Sequence, residues 1–236
     1  MIEEKDISQE EKWYLEKLGL RCIKGLDRRN IPGSYFPSPE EAREHLLTNI
    51  PPEATVGFSD SVTLHQVGIQ RALQDMGQKI ISPFWKEEKS YHPDTLREIV
   101  QVGREALFAD YFLAGINAIT LDGQIVNTDG LGNRLAGMMF GPRRVILVAG
   151  LNKIVENLDA AMDRIKKVAA PLNAHRHELK HGMGAPPCAQ TGECVDCRSA
   201  NRICNFTLII EHQHHPAQAG RSPRIEVVLV GETLGL

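Results

Sequence analysis

The stretch Ala54-Thr55-Val56-Gly57-Phe58-Ser59-Asp60-Ser61-Val62-Thr63-Leu64 decides the fold. Its first five residues are a short, largely apolar run that reads as a strand. Ser59-Asp60-Ser61 turns the chain, and Ser61 is a natural N-cap. The helix that follows carries Leu64, Val67, Gly68, Ala72 and Met76 on roughly one face. A strand passing through a polar turn into an amphipathic helix is the opening of an α/β unit.

Downstream the alternation continues. Gly77 closes that helix, and Lys79-Ile80-Ile81 reads as the next strand. His92-Pro93-Asp94 opens a helix with Leu96, Ile99, Val100 and Leu107 as its apolar side. Ala109-Asp110-Tyr111-Phe112-Leu113-Ala114-Gly115 is a mostly apolar strand. Ala118-Ile119-Thr120 and Gln124-Ile125-Val126 pair antiparallel about Asp122-Gly123. Arg144-Val145-Ile146-Leu147-Val148-Ala149 is continuously apolar, as a strand covered on both faces should be. A helix spans about Leu158 to Val168, and Pro171 bars its continuation. Phe206-Thr207-Leu208-Ile209-Ile210 and Ile225-Glu226-Val227-Val228-Leu229-Val230 supply two more strands. The pattern predicts an α/β fold, a mainly parallel sheet with helices on both faces.

Upstream, Ser8-Gln9-Glu10-Glu11 is a capping box, with Gly19 placed to end the helix it starts. Ser38-Pro39-Glu40-Glu41 starts a second helix, with Pro39 at its first position. Asn30-Ile31-Pro32-Gly33-Ser34 between them is a loop by composition. Residues 1–53 are therefore expected as a helical lead-in packed outside a domain of 54–236, which includes a cysteine-rich loop segment at 182–205.

The 236 residues are 42% hydrophobic and 24% charged, globular proportions that argue against a disordered chain. A formal net charge of −3 removes the basic surplus of a dedicated nucleic-acid binder. No apolar run approaches the ~20 residues of a spanning helix. The start Met1-Ile2-Glu3-Glu4-Lys5-Asp6 is acidic and lacks an apolar signal core, so a cytoplasmic protein is expected. Of five cysteines, Cys22 stands alone while Cys188, Cys194, Cys197 and Cys204 cluster. Clustered cysteines in such a chain point to metal binding or redox chemistry.

The blocks Gly57 to Leu64, Ala109 to Leu113, Asn117 to Thr120 and Asp122-Gly123 belong to one recognisable series. So do Asn127, Asp129-Gly130, Gly132-Asn133-Arg134, Gly141-Pro142, Gly150, Asn152-Lys153-Ile154-Val155 and Ala169-Ala170-Pro171. From about residue 54 onward the chain resembles the LUD-domain family, lactate utilization proteins that include lactate utilization protein C. The resemblance implies a fold like glucosamine-6-phosphate deaminase, ribose-5-phosphate isomerase and CoA transferases. It further implies a part in oxidising lactate to pyruvate beside iron–sulfur partner proteins. No catalytic residue is carried over.

Open α/β sheets bind ligands at the carboxyl ends of their strands. Gly57, Ser59, Ser61 and Thr63 occupy one such turn, where a carboxylate or phosphate can be held; an ordinary Ser-capped helix is the alternative. Asn127, Asp129, Gly132, Asn133 and Arg134 crowd a second turn, and Arg134 can pair bidentately with a carboxylate. The two turns are expected to share one cleft. Lys153 reaches the same sheet end if its strand runs parallel, as an anchoring cation or an exposed surface lysine. Asp110 caps or pairs. His175-Arg176-His177 and His212-Gln213-His214-His215 read as solvated rather than metal-ligating. No flavin or nicotinamide signature is found, and no nucleophile elbow.

Cys188, Cys194, Cys197 and Cys204 follow Cys-x5-Cys-x2-Cys-x6-Cys, and Cys194-Val195-Asp196-Cys197 has the two-residue spacing of a zinc knuckle. One metal centre is expected, zinc or an iron–sulfur cluster; reduced or disulfide-paired thiols are the alternative. Three functions remain open. The chain is a component of 2-hydroxy-acid oxidation, a non-catalytic module binding a small anion or a partner, or an isomerase-like enzyme stapled by a metal.

Overall fold

The computed structural model describes residues 5–83, 93–182, 184–214 and 223–236. Among the described residues the strands are, in chain order, β1 (Gly33–Phe36), β2 (Thr55–Phe58), β3 (Lys79–Ile81), β4 (Tyr111–Gly115), β5 (Ala118–Thr120), β6 (Ile125–Asp129), β7 (Arg144–Gly150), β8 (Ile154–Val155), β9 (Phe206–Ile210) and β10 (Ile225–Val230). The α-helices among them are α1 (Ser8–Arg28), α2 (Pro39–Asn49), α3 (Val62–Val67), α4 (Ile69–Asp75), α5 (Pro93–Glu105), α6 (Asn133–Met139), α7 (Leu158–Arg164), α8 (Ala170–His181) and α9 (Pro187–Thr191).

Six strands form one wholly parallel sheet in the order β1-β10-β7-β4-β2-β3. The apolar run of β7 serves both faces, because side chains alternate along a strand. Val145, Leu147 and Ala149 join Cys22 and Leu26 of α1 and Leu135 and Met138 of α6 in one core. Ile146 and Val148 join Ala42 and Leu46 of α2, Leu64 and Val67 of α3 and Leu73 of α4 in the other. The α/β class with helices on both faces is as the pattern predicts.

One sheet does not hold every strand. A second, four-stranded sheet in the order β8-β5-β6-β9 contains the expected β5–β6 antiparallel pair and takes β9 as a further antiparallel strand. Its outer face packs Ala118 and Val126 against Ala161 of α7 and Ile165.

The N-terminal segment is not an external lead-in. The expected loop at 30–34 is partly β1, which pairs with β10 in the register Gly33↔Val227, and Val227 N donates to Pro32 O at 2.9 Å. Gly19 does not end α1, which runs on to Arg28; a Cβ at Gly19 would lie 2.9 Å from the Tyr35 ring, so the residue permits close packing on β1. The Ser8 capping box is not formed, since the helix is capped at Ile7 and Ser8 N donates to Asp6 Oδ1. Ser38 does cap α2, accepting from Glu41 N at 3.2 Å.

Two further helices differ from expectation. Gly68 adopts φ +74°, a left-handed conformation that breaks the single expected helix into α3 and α4. Pro171 does not stop the helix begun at Leu158. The chain widens into a π-helical turn over Ile165–Ala169, and Pro171 then sits in the first turn of α8, where a missing N–H costs little. The expected helix start at His92, the first four residues of the acidic start and His215 lie outside the described residues. No helix among the described residues is long and apolar enough to cross a membrane.

Candidate functional site

Strand order reverses beside β2: the chain steps from β2 outward to β3, then returns to lay β4 on the other side. At such a switch point the loops leaving two adjacent parallel strands diverge and open a crevice at their carboxyl ends. A cleft of about 400 Å³ opens there. Ser59, Asp60, Ser61 and Thr63 after β2 line it, with Gly115 to Asn117 after β4, Lys153 after β7, and Thr128 to Leu131, Asn133 and Arg134 after β6. One side of α8 closes the opposite wall with Asn173, Arg176, His177 and Glu178.

Seven expected residues therefore meet in one cleft: Ser59, Ser61, Thr63, Asp129, Asn133, Arg134 and Lys153. Three do not line it. Gly57 lies within β2, where a Cβ would press on Ala106 and the Phe112 ring. Gly132 is the N-cap of α6 and faces Phe206. Asn127 is fully buried behind the wall; its Oδ1 accepts from Asn117 N at 2.8 Å and its amide meets Met138 Sδ at 3.4 Å. It shapes the corner after β4.

Arg134 is committed largely to the protein. It donates to Thr128 O at 2.7 Å and Asn117 Oδ1 at 3.1 Å, and lies 3.6 Å from Asp129 Oδ1. These bonds all use Nη2, which holds the two turns together, while Nη1 makes only a 3.5 Å contact with Gly115 O. Its charge still faces the cleft. Ser61 caps α3, accepting from Leu64 N at 3.3 Å, whereas the buried Ser59 Oγ has no hydrogen-bond partner among the described residues.

Lys153 is the outstanding group. It is 1% exposed, and no hydrogen bond or ion pair joins it to another described residue. Burial, then the charges of Arg164 and Arg134, push its pKa down to about 7. Arg164 stands behind it, donating to the backbone oxygens of Asn152, Asn117 and Leu236. The exposed-lysine alternative does not describe it.

Reading the residues in sequence misses the α8 wall. Arg176 donates to both carboxylate oxygens of Asp60, at 3.2 and 3.4 Å. Burial alone would raise the Asp60 pKa, but the charge and hydrogen bonds of Arg176 lower it below the ordinary carboxylate value. Because Pro171 reads as a stop, His175-Arg176-His177 reads as loop; the available signal is the helical spacing Asn173, Arg176, His177 across it. Glu178 Oε2 is also buried without a hydrogen-bond partner among the described residues. Asp110 pairs as expected, accepting from Thr55 N and Oγ1 and tying β2 to β4.

Cys188, Cys194, Cys197 and Cys204 are all free thiols and line one small cavity beside the cleft, with Arg202 and Ile203. Burial, followed by the other three thiols, pushes the Cys188 thiol up. Arg202 reaches the backbone oxygens of Cys197 and Cys204 at 2.6 and 3.0 Å. Among the described residues no three His, Cys, Asp or Glu side chains meet as a ready metal-ligand set. Arg202, Ile203 and Cys204 line both cavities.

The family model of the LUD domain matches residues 21–230. The chain belongs to the LUD-domain family. The match begins well before residue 54, where the resemblance was expected to start, and takes in β1 and the last part of α1. Among solved structures, a DUF162 family protein from Deinococcus radiodurans is 12% identical, with 92% of this chain and 97% of that chain covered and a TM-score of 0.48. Translation initiation factor eIF-2B from Pyrococcus horikoshii OT3 is 18% identical over 51% of this chain and 48% of its own, with a TM-score of 0.34. The eIF2B delta protein from Chaetomium thermophilum is 12% identical over 53% and 50%, with a TM-score of 0.33. No curated protein sequence matches the chain.

Proposed function

We propose that the cleft of this LUD domain binds a small anionic metabolite, a carboxylate or a phosphate compound. In this reading the chain is a cytoplasmic component of 2-hydroxy-acid oxidation, lactate to pyruvate. The observation that carries the reading is Lys153, a buried cation without a partner, set between Arg134 and Arg164 at the switch-point crevice. A buried charge of this kind is costly until a counter-charge arrives, and a bound anion supplies one. Ser59 Oγ adds an unused hydroxyl donor. The LUD family's association with lactate utilization favours a carboxylate. Electrons from lactate would pass to a partner, with iron–sulfur proteins the class the family suggests. Calorimetric titration with lactate, pyruvate and inorganic phosphate tests the reading. At least one should bind, and Lys153→Met should weaken that binding about 10- to 100-fold, the effect of losing a charge-assisted bond. No binding of any of the three overturns it.

A second reading concerns the thiols. Four cysteines around one small cavity are the donor set of a structural zinc site or an iron–sulfur centre, and a cation would fasten a wall built mostly of loop. Holding one ion requires the thiols to draw closer together, since among the described residues they do not meet as a ligand set. Elemental analysis of anaerobically purified protein tests this: about one metal equivalent supports it, and metal-free protein with four titratable thiols ends it.

A further inference from the structure

The anion reading explains why a positive charge stands in the crevice, but not why its bearer is a lysine kept so far from water. Arginine holds its proton under any ordinary burial and would anchor a carboxylate by two parallel bonds. Two arginines, Arg134 and Arg164, already flank the position, and their guanidinium groups are bonded to the protein. At Lys153 the chain instead places a primary amine, 1% exposed, lining a cleft of about 400 Å³ and unbonded to any described residue. Burial beside other cations is how a lysine is made nucleophilic, because both influences favour the neutral amine with its free lone pair.

We infer that Lys153 condenses with the carbonyl carbon of a 2-oxo acid to form a Schiff base in the cleft. The inference rests on the reading of the cleft as an anion site and names the ligand class for it. The ligand's carboxylate lies in the positive field of Arg134 and Arg164, within the crevice that the unpartnered Ser59 hydroxyl also lines. Its carbonyl carbon then meets Nζ. The Nζ lone pair forms the new C–N bond as the C=O π pair moves to oxygen. The two protons of the neutral amine end on that oxygen, the C–O bond breaks and water leaves. No oxidant or reductant is consumed. The depression of the Lys153 pKa to about 7 accords with this role, since much of the amine is then neutral near neutral pH.

The test uses the full chain with pyruvate and sodium borohydride, followed by peptide mapping in a mass spectrometer. The expected result is a reduced pyruvate adduct concentrated on the peptide that contains Lys153. Excess inorganic phosphate or lactate, neither of which has a ketone, should suppress it. Lys153→Arg, which keeps a cation and removes the nucleophilic amine, should abolish it. A wild-type protein in which pyruvate and phosphate compete by calorimetry, yet no adduct forms at Lys153, overturns the inference and leaves the anion site standing. Adducts spread evenly over the other lysines also overturn it. If none of pyruvate, lactate and phosphate binds, both ideas fall.

Discussion

Arg176 on α8 clasps Asp60 through both guanidinium nitrogens, at 3.2 and 3.4 Å, bridging the cleft from the turn after β2 to its far wall. The pair is largely shielded, with side-chain exposures of 21% and 23%. His65 Nε2 lies 3.9 Å from the same carboxylate. This contact fixes the width of the cleft.

Arg176→Ala should therefore destabilise the protein by about 1.5–3 kcal/mol at pH 7, because the Asp60 carboxylate is left buried without its donor. The Asp60 pKa is lowered in the folded state, so the pair's contribution is fully present above the unfolded carboxylate value. It is lost as pH falls through the folded one. Urea unfolding at pH 7 and near pH 3 should show a large gap between wild type and variant at the first and a much smaller gap at the second.

At Lys153 the pH slope has the same sign, but there folding disfavours the charged form. Its folded pKa of about 7 lies below the model-compound value of 10.5, so between those values the unfolded chain binds more protons than the folded one. Stability should rise with pH across that window, in which Nζ faces the guanidinium groups of Arg134 and Arg164. Lys153→Met should flatten this dependence and stabilise the ligand-free protein at pH 6, as measured by denaturant midpoint.

Anion affinity should run the other way. Binding favours the protonated amine, so affinity for inorganic phosphate should fall as pH rises through about 7 in wild type. A calorimetric pH series checks this, once corrected with Lys153→Met for phosphate's own titration.

Arg134→Ala should lower stability as well as affinity, since Thr128 O and Asn117 Oδ1 both lose a charged donor. A loss of about 1.5–3 kcal/mol is expected. The contrast with Lys153→Met, which lowers affinity without lowering stability, separates a group that braces the cleft from one that serves its contents. Thermal melts beside the same phosphate titration read both.

Gly25 and Gly123 make a close seam between α1 and the β5–β6 turn. A Cβ on Gly25 would meet Leu121 O at 2.3 Å, and one on Gly123 would meet Gly25 C at 2.5 Å. Gly25→Ala should cost about 1–3 kcal/mol by forcing α1 off the β5–β6 turn. A lowered melting temperature with unchanged phosphate affinity is the expected pair of results.

The parallel sheet was legible because its strands carry unbroken apolar runs, as in Arg144 to Gly150, which burial on both faces demands. The cleft was legible in part, because Ser59 and Ser61 follow the end of β2 and Asp129 ends β6. What escaped depends on partners distant in sequence. Gly33 to Phe36 has no strand signal of its own and becomes β1 only by pairing with Val227 to Val230. Pro171 is a helix stop by local rules, yet the widened turn at Ile165–Ala169 accommodates it and carries Arg176 to Asp60. The burial of Lys153 likewise comes from packing that no local pattern announces.

The place of β10 sets the order in which the molecule can be finished. It is the last strand among the described residues, yet it lies inside the sheet, between β1 and β7. During synthesis β1 emerges early and has no neighbour to pair with until residues 225–230 have been made. β7 meanwhile presents an open edge of unpaired amides and carbonyls, the kind of surface that recruits other chains. Closure over so long a separation is slow. The nascent protein must therefore pass through a half-built sheet, and a chain cut short before residue 225 stays there.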